Sequence, residues 1–195
     1  MATVTALRAR RGRVAVELDD VPWRTLPVEA VVEARLGVGV PLDRERARAL
    51  ARALRRARAA DLAVQALARR DRSRADLDAR LAHAGVRAAE RAETLDRAAE
   101  TGIVDDGRYA RARASALAER GAGDLLVLDD LERHGVGADL ARAAVAELEP
   151  EAARAERILA ARGRSTRTLR YLAARGFTRE SVEELIAEIE DGTLR

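Results

Sequence analysis

The sequence predicts a mainly α protein: three tandem three-helix repeats forming an elongated, curved array, with a small N-terminal β-ribbon extension. Three observations predict it. Apolar residues make up 48% of the chain but aromatics only 2%, so Ala and Leu must fill the core, and Ala-rich, Leu-spaced, charge-laced sequence favours helices. A Leu-x3-Gly-apolar pattern recurs as Leu81/Gly85/Val86, Leu131/Gly135/Val136 and Leu172/Gly176/Phe177, with glycine steps of 50 and 41 residues. Residues 3–26 lack helical spacing and alternate instead.

The extension comes first. "RVAVEL" (13–18) puts Val14, Val16 and Leu18 on one side, "RRG" (10–12) reads as a turn, and "TVTALRA" and "VPWRTL" flank it as weaker strands. A two- or three-stranded ribbon alone is marginal in water, so it is expected to lean on the helices, with Trp23, the sole Trp, as its anchor. "PVEAVVEARL" (27–36) predicts a short helix with Pro27 near its first turn, and "GVGVP" breaks the chain. Asp43 is a good N-cap for a long helix carrying Leu50, Leu54, Leu62 and Leu67, with Arg48, Arg52, Arg55 and Arg56 on another face.

Downstream, the repeat organises the chain. A Gly after a helical run takes the left-handed position where a Cβ would clash, and the apolar residue after it packs back on the last turn. Gly85, Gly135 and Gly176 are therefore read as structural caps. Small helical units that cannot bury their faces alone stack into an array. The expected divisions are residues 1–40 for the ribbon and short helix, then repeats at 41–104, 105–150 and 151–195.

Composition excludes several function classes. There is no cysteine, hence no disulfide, thiolate metal site or thiol catalysis. No apolar run approaches the roughly 18 residues of a membrane span, and no signal segment opens the chain, so a cytoplasmic location is expected. The basic residues are all Arg, so a net charge of +3 suffices to raise the isoelectric point to 10.3. The distribution says more. Residues 1–60 carry 13 Arg against 7 acids, residues 61–150 carry 14 against 18, and residues 151–195 carry 9 against 8. A polyanion contact is expected at the basic N-terminal end.

Candidate chemistry is sparse. His83 and His134 sit just before repeat glycines, as helix C-terminal residues would, without the spacing of a metal site. Ser73 and Ser165 read as N-caps, and no serine has an elbow motif. "GVG" and "GAG" lack a phosphate-binding context. In "GIVDDGRYARAR" (102–113), Asp105 and Asp106 suit a helix start, where Asp satisfies orphan N–H groups, and Tyr109 suits a core anchor. Arg108, Arg111 and Arg113 point elsewhere, as solvated charge or as part of a phosphate- or protein-binding face. No catalytic residue, metal site or cofactor is assigned, and the chain is expected not to be an enzyme.

Four motifs in order, "RSRADLDARLAHAGV" (72–86), "GIVDDGRYARARASALAERGAG" (102–123), "DLERHGV" (130–136) and "YLAARGFTRESVEELI" (171–186), resemble the RecX family of regulatory proteins over roughly residues 43–190. The resemblance implies three tandem three-helix repeats. It also implies a non-enzymatic protein that binds RecA recombinase in the groove of its filament on DNA, and that most often inhibits strand exchange and the coupled ATP hydrolysis. Arg108, Arg111, Arg113 and Arg120 match the family's basic central region. One departure is "DLLVLDDLE", with Asp124, Asp129, Asp130 and Glu132 where members often carry basic residues. Direct DNA contact, expected to be weak, is accordingly assigned to Arg48, Arg52, Arg55 and Arg56. A monomer is expected. A helical-repeat DNA-binding protein acting without a recombinase is the alternative, and the net negative middle of the chain argues against it.

Overall fold

The computed structural model describes residues 2–183 and 186–187, so residues 184, 185 and 188–195 of the expected third repeat lie outside the described residues. The chain divides into two compact units: residues 1–70 with 78–98, and residues 71–77 with 99–195.

The first unit opens with β1 (Val4–Arg10), β2 (Arg13–Leu18) and β3 (Val21–Pro27), antiparallel in that order. Alternation decides the faces. Val14 and Val16 of β2 and Leu26 of β3 are buried against α1 (Val28–Glu33) and α2 (Arg44–Leu67), together with Ala30, Val31, Leu50 and Ala53. Asp43 caps α2 by accepting the Arg46 N–H at 2.7 Å. The unit is completed by most of α3 (Arg74–His83) and α4 (Ala88–Glu100).

Trp23 departs from the sequence reading. It is 37% exposed and absent from the core that the sheet shares with the helices. The pairing of β2 with β3 shifts between Val16 and Glu17, which are matched to Arg24 and Pro22. Trp23 is thus the extra residue of a β-bulge, and the ribbon is held by its aliphatic face alone.

The second unit contains α5 (Asp106–Glu119), α6 (Asp124–Arg133), α7 (Ala138–Ala146), α8 (Glu151–Arg162), α9 (Thr166–Ala174) and a 3-10 turn at Glu180–Val182. One core cluster gathers Tyr109, Ala110, Ala114, Val127, Leu131, Val136, Ala141 and Ala144. Another gathers Ala155, Leu159, Leu172, Phe177 and Val182. With Ala122, the first draws on eight aliphatic side chains and one ring, which is how a chain so poor in aromatics closes its core.

The repeat glycines share one geometry. Gly85, Gly135 and Gly176 have φ of 76°, 69° and 80°. After each, the apolar residue returns its N–H five residues back: Val86 to Leu81 O at 3.0 Å, Val136 to Leu131 O at 3.0 Å, and Phe177 to Leu172 O at 3.1 Å. These are Schellman caps. Gly121 makes a fourth, with Ala122 N–H on Leu117 O at 3.0 Å; Leu117/Gly121/Ala122 fits the same Leu-x3-Gly-apolar pattern but is not among the three picked out in the sequence.

Candidate interaction surface

The structure separates the arginines of α5 by what they hold. Asp105 has an extended backbone and accepts the Arg108 N–H at 2.9 Å. That bond holds the Asp105 carboxyl below its ordinary value. Arg108 then folds back on the preceding loop, donating to Gly102 O and Ile103 O at 3.1 Å each. Asp106 accepts the Arg74 N–H at 2.7 Å and so serves the start of α3 rather than its own helix. Tyr109 is buried, 6.1 Å from the His134 ring.

Arg113 makes two parallel bonds to Asp130, Nε to Oδ2 at 2.7 Å and an Nη to Oδ1 at 2.8 Å. The guanidinium holds the Asp130 carboxyl below its ordinary value, and the carboxylate in turn raises Arg113. Arg111 lies 3.9 Å from Glu147, both about half exposed. Arg120 is exposed and has no ion pair among the described residues.

The α2 set divides the same way. Arg55 Nε donates to Glu90 at 2.6 Å, and the Arg55 side chain holds the Glu90 carboxyl below its ordinary value. Arg56 reaches both Glu33 and, at 2.7 Å, Glu93. Arg48 and Arg52 lie exposed with no ion pair among the described residues. Of the eight arginines singled out in the sequence, three are therefore exposed with no ion pair among the described residues: Arg48 and Arg52 in the first unit, and Arg120 in the second.

Sequence reasoning missed the junctions of the second unit. At the first junction, the C-terminal end of α6 seats on the start of α3. Ser73 Oγ donates to His134 O at 2.5 Å while accepting the Asp76 N–H at 3.0 Å. At the second, the C-terminal end of α9 seats on the start of α6. Gly123 N–H donates to Arg175 O at 2.8 Å and Leu125 N–H to Gly176 O at 3.0 Å. Glu151, the first residue of α8, accepts the Asp124 N–H at 2.6 Å, as Asp106, the first residue of α5, accepts that of Arg74. Buried Arg154 closes the second junction through Asp124 and through Ala122 O, the latter at 2.7 Å. Burial pushes the Asp124 carboxyl up. Burial also opposes the Glu151 charge, but hydrogen bonds from Thr178 and from the Asp124 N–H outweigh it and hold that carboxyl below its ordinary value. The spacing of Asp106 and Glu151 at matching helix starts was the available signal.

Among the described residues, no group of three or more His, Asp or Glu could hold a metal ion, and no helix is long and apolar enough to cross a membrane. What the surface offers is charge.

No family model matches the sequence. The regulatory protein RecX of Chromohalobacter salexigens is 35% identical over 142 residues, a match covering 68% of this chain and 93% of that protein. The chain belongs to the RecX family. RecX of Acidithiobacillus ferrooxidans is 33% identical over 138 residues, covering 64% of this chain and 86% of that protein. The fold agrees as well. A crystal structure of a regulatory protein RecX superposes with a TM-score of 0.82 at 20% identity, covering 96% of this chain and 100% of that one. RecX from Lactobacillus salivarius superposes with a TM-score of 0.61 at 14% identity over 70% of this chain. The matched relatives are named regulatory proteins, and the fold of this chain, mainly helical with a three-stranded N-terminal sheet, superposes on the RecX structures.

Proposed function

We propose that the protein modulates RecA recombinase. On this reading it binds the RecA filament on DNA in the cytoplasm as a monomer. It restrains strand exchange and the coupled ATP hydrolysis, and thereby regulates DNA repair and the damage response. The observation that carries the proposal is membership of the RecX family through a relative matched over 93% of its length. The division into repeats at 41–104, 105–150 and 151–195 belongs to the same reading. Residue chemistry supports it: the described chain offers exposed, unneutralised guanidiniums, the groups suited to carboxylates and phosphates on a partner. Arg120 is assigned to the recombinase, and Arg48 and Arg52 to DNA phosphates. Arg55, Arg56, Arg108, Arg111 and Arg113 support them through their intramolecular bonds.

The test is RecA ATP hydrolysis on single-stranded DNA, with filament length followed by electron microscopy as the protein is titrated. The expected result is falling hydrolysis and shorter filaments at substoichiometric to stoichiometric amounts. No effect at stoichiometry overturns the proposal. Arg120→Ala should weaken the effect while leaving the unfolding midpoint in place, because its guanidinium has no ion pair to lose within the described residues.

A further inference from the structure

The three-stranded sheet has an outward face that the aliphatic core does not use. Arg8 pairs with Ala15 and Ala15 with Thr25, while Arg10 pairs with Arg13 and Arg13 with Pro27. By strand alternation, Arg8, Arg10, Arg13, Thr25 and Trp23 share that face, opposite Val14, Val16 and Leu26. Glu17 lies on it too and neutralises Arg8 at 2.7 Å. Arg13 spends one N–H on Thr25 O at 3.0 Å, and Arg24 places its guanidinium 5.6 Å from the Trp23 ring centre.

Two features of this face work against the stability of the sheet. Arg10 and Arg13 stand directly opposite each other across the hairpin, a like-charge pairing that costs stability. Between them the two-residue turn puts Arg11 at φ 42° and Gly12 at φ 77°. Positive φ suits Gly and is unfavourable for Arg. The other hairpin turn shows the contrast. Asp19 and Asp20 also take positive φ, at 47° and 63°, but Asp tolerates that region, and local bonds compensate. Thr3 N–H donates to Asp19 Oδ1 at 2.8 Å and Asp20 N–H to Thr5 Oγ1 at 2.9 Å. Arg11 has no such bond among the described residues. Repulsion and backbone strain thus fall together at the Arg11–Gly12 end of the sheet, while Trp23, the only Trp in the chain, stands on the same face at the bulge, two outward positions further along β3.

We infer that the outward face of the N-terminal sheet is a binding surface for single-stranded nucleic acid, with Trp23 stacking a base and Arg10, Arg11 and Arg13 meeting the backbone phosphates. Strained turns persist where the ligand uses them. Successive outward residues on one strand stand about 6.8 Å apart and neighbouring strands about 4.8 Å apart, so Arg10, Arg11 and Arg13 gather at the hairpin end and Trp23 stands about 14 Å along the strand direction from them. A ring on the same face as a cluster of guanidiniums is the pairing that sequence-tolerant single-strand binding uses: stacking for bases, charge for the chain. An acidic protein segment would be served by the charges alone and leaves the exposed ring without a role. This inference is independent of the recombinase reading.

The sole Trp makes the test direct. The full chain is titrated with a thymidine oligonucleotide, following Trp23 emission and, in parallel, the anisotropy of a labelled oligonucleotide. Saturable quenching that tracks the anisotropy is expected. Arg10→Ser/Arg13→Ser should weaken binding roughly tenfold or more and lower the salt slope by about 0.7 for each guanidinium removed. Its thermal midpoint should stay equal or rise, since a repulsive pair is relieved. Trp23→Ala should weaken binding roughly tenfold. Oligonucleotide binding that leaves the emission unchanged overturns the inference, because the contact then lies elsewhere. So does equal affinity in the Arg10→Ser/Arg13→Ser variant, and so does equal quenching by polyglutamate, which would make the face an acidic-protein surface. RecA inhibition is measured on the same variants. Its survival alongside lost oligonucleotide binding separates this inference from the recombinase proposal.

Discussion

Arg113 and Asp130 meet through two parallel bonds where neither is fully wetted, with side-chain exposures of 34% and 14%. Removing one partner strands the other. Arg113→Ala should cost about 1–2 kcal/mol in urea denaturation, the lower part of the range for charged hydrogen bonds because the guanidinium is a third exposed. Arg113→Lys should restore less than half, since an ammonium cannot reproduce the fork. The pH dependence follows from Asp130. Its folded carboxyl lies below the ordinary value of about 3.9. The stabilisation is therefore present above that value and is lost as pH falls through the lower folded one. Asp130→Asn should flatten the acid limb of a thermal-melt series. None of this was legible in the sequence, because the partners are 17 residues apart and only the folded chain brings them together. The cap at Asp105 was legible, because it closes within three residues of itself.

At the scale of the element, the helices and strands were readable because their signals are local. Alternation marked β2, Asp43 marked the start of α2, and the repeat glycines marked helix ends. The bulge that turns Trp23 outward depends on how β3 registers against β2, which no periodicity encodes. The junctions were equally hidden. A Cβ on Gly123 would lie 2.3 Å from the Gly176 backbone, and one on Gly176 would lie 2.5 Å from Leu126 N. Backbone must move in either case, so Gly123→Ala should cost roughly 3 kcal/mol or more. Gly85 has open space around its missing Cβ. There Gly→Ala should cost only the left-handed conformation, about 1–2 kcal/mol. Chemical denaturation of both variants tests the ordering, and equal costs would sink the argument from close approach. Arg154→Ala should cost about 3–5 kcal/mol by leaving Asp124 and Ala122 O short of a partner.

At the scale of the whole molecule, the cationic charge resides entirely on arginine, which stays protonated throughout the working pH range. Oligonucleotide affinity at fixed salt should therefore change little between pH 7 and about 9.5, where a lysine-based surface would begin to lose charge. Competition assays across that range test it. Charge distribution along the chain was legible before the fold was, but which arginines are free to act was not, because acids remote in sequence claim Arg55, Arg56 and Arg113. The seating of one helix end on the next helix start has an evolutionary consequence. Ser73 holds His134 O in its hydroxyl bond. Ser165 caps α9 through Thr168 N–H at 3.2 Å, and among the described residues no helix end is seated on it. An internal gene duplication copying α6 to α8 would supply a helix end of the kind that Ser73 receives.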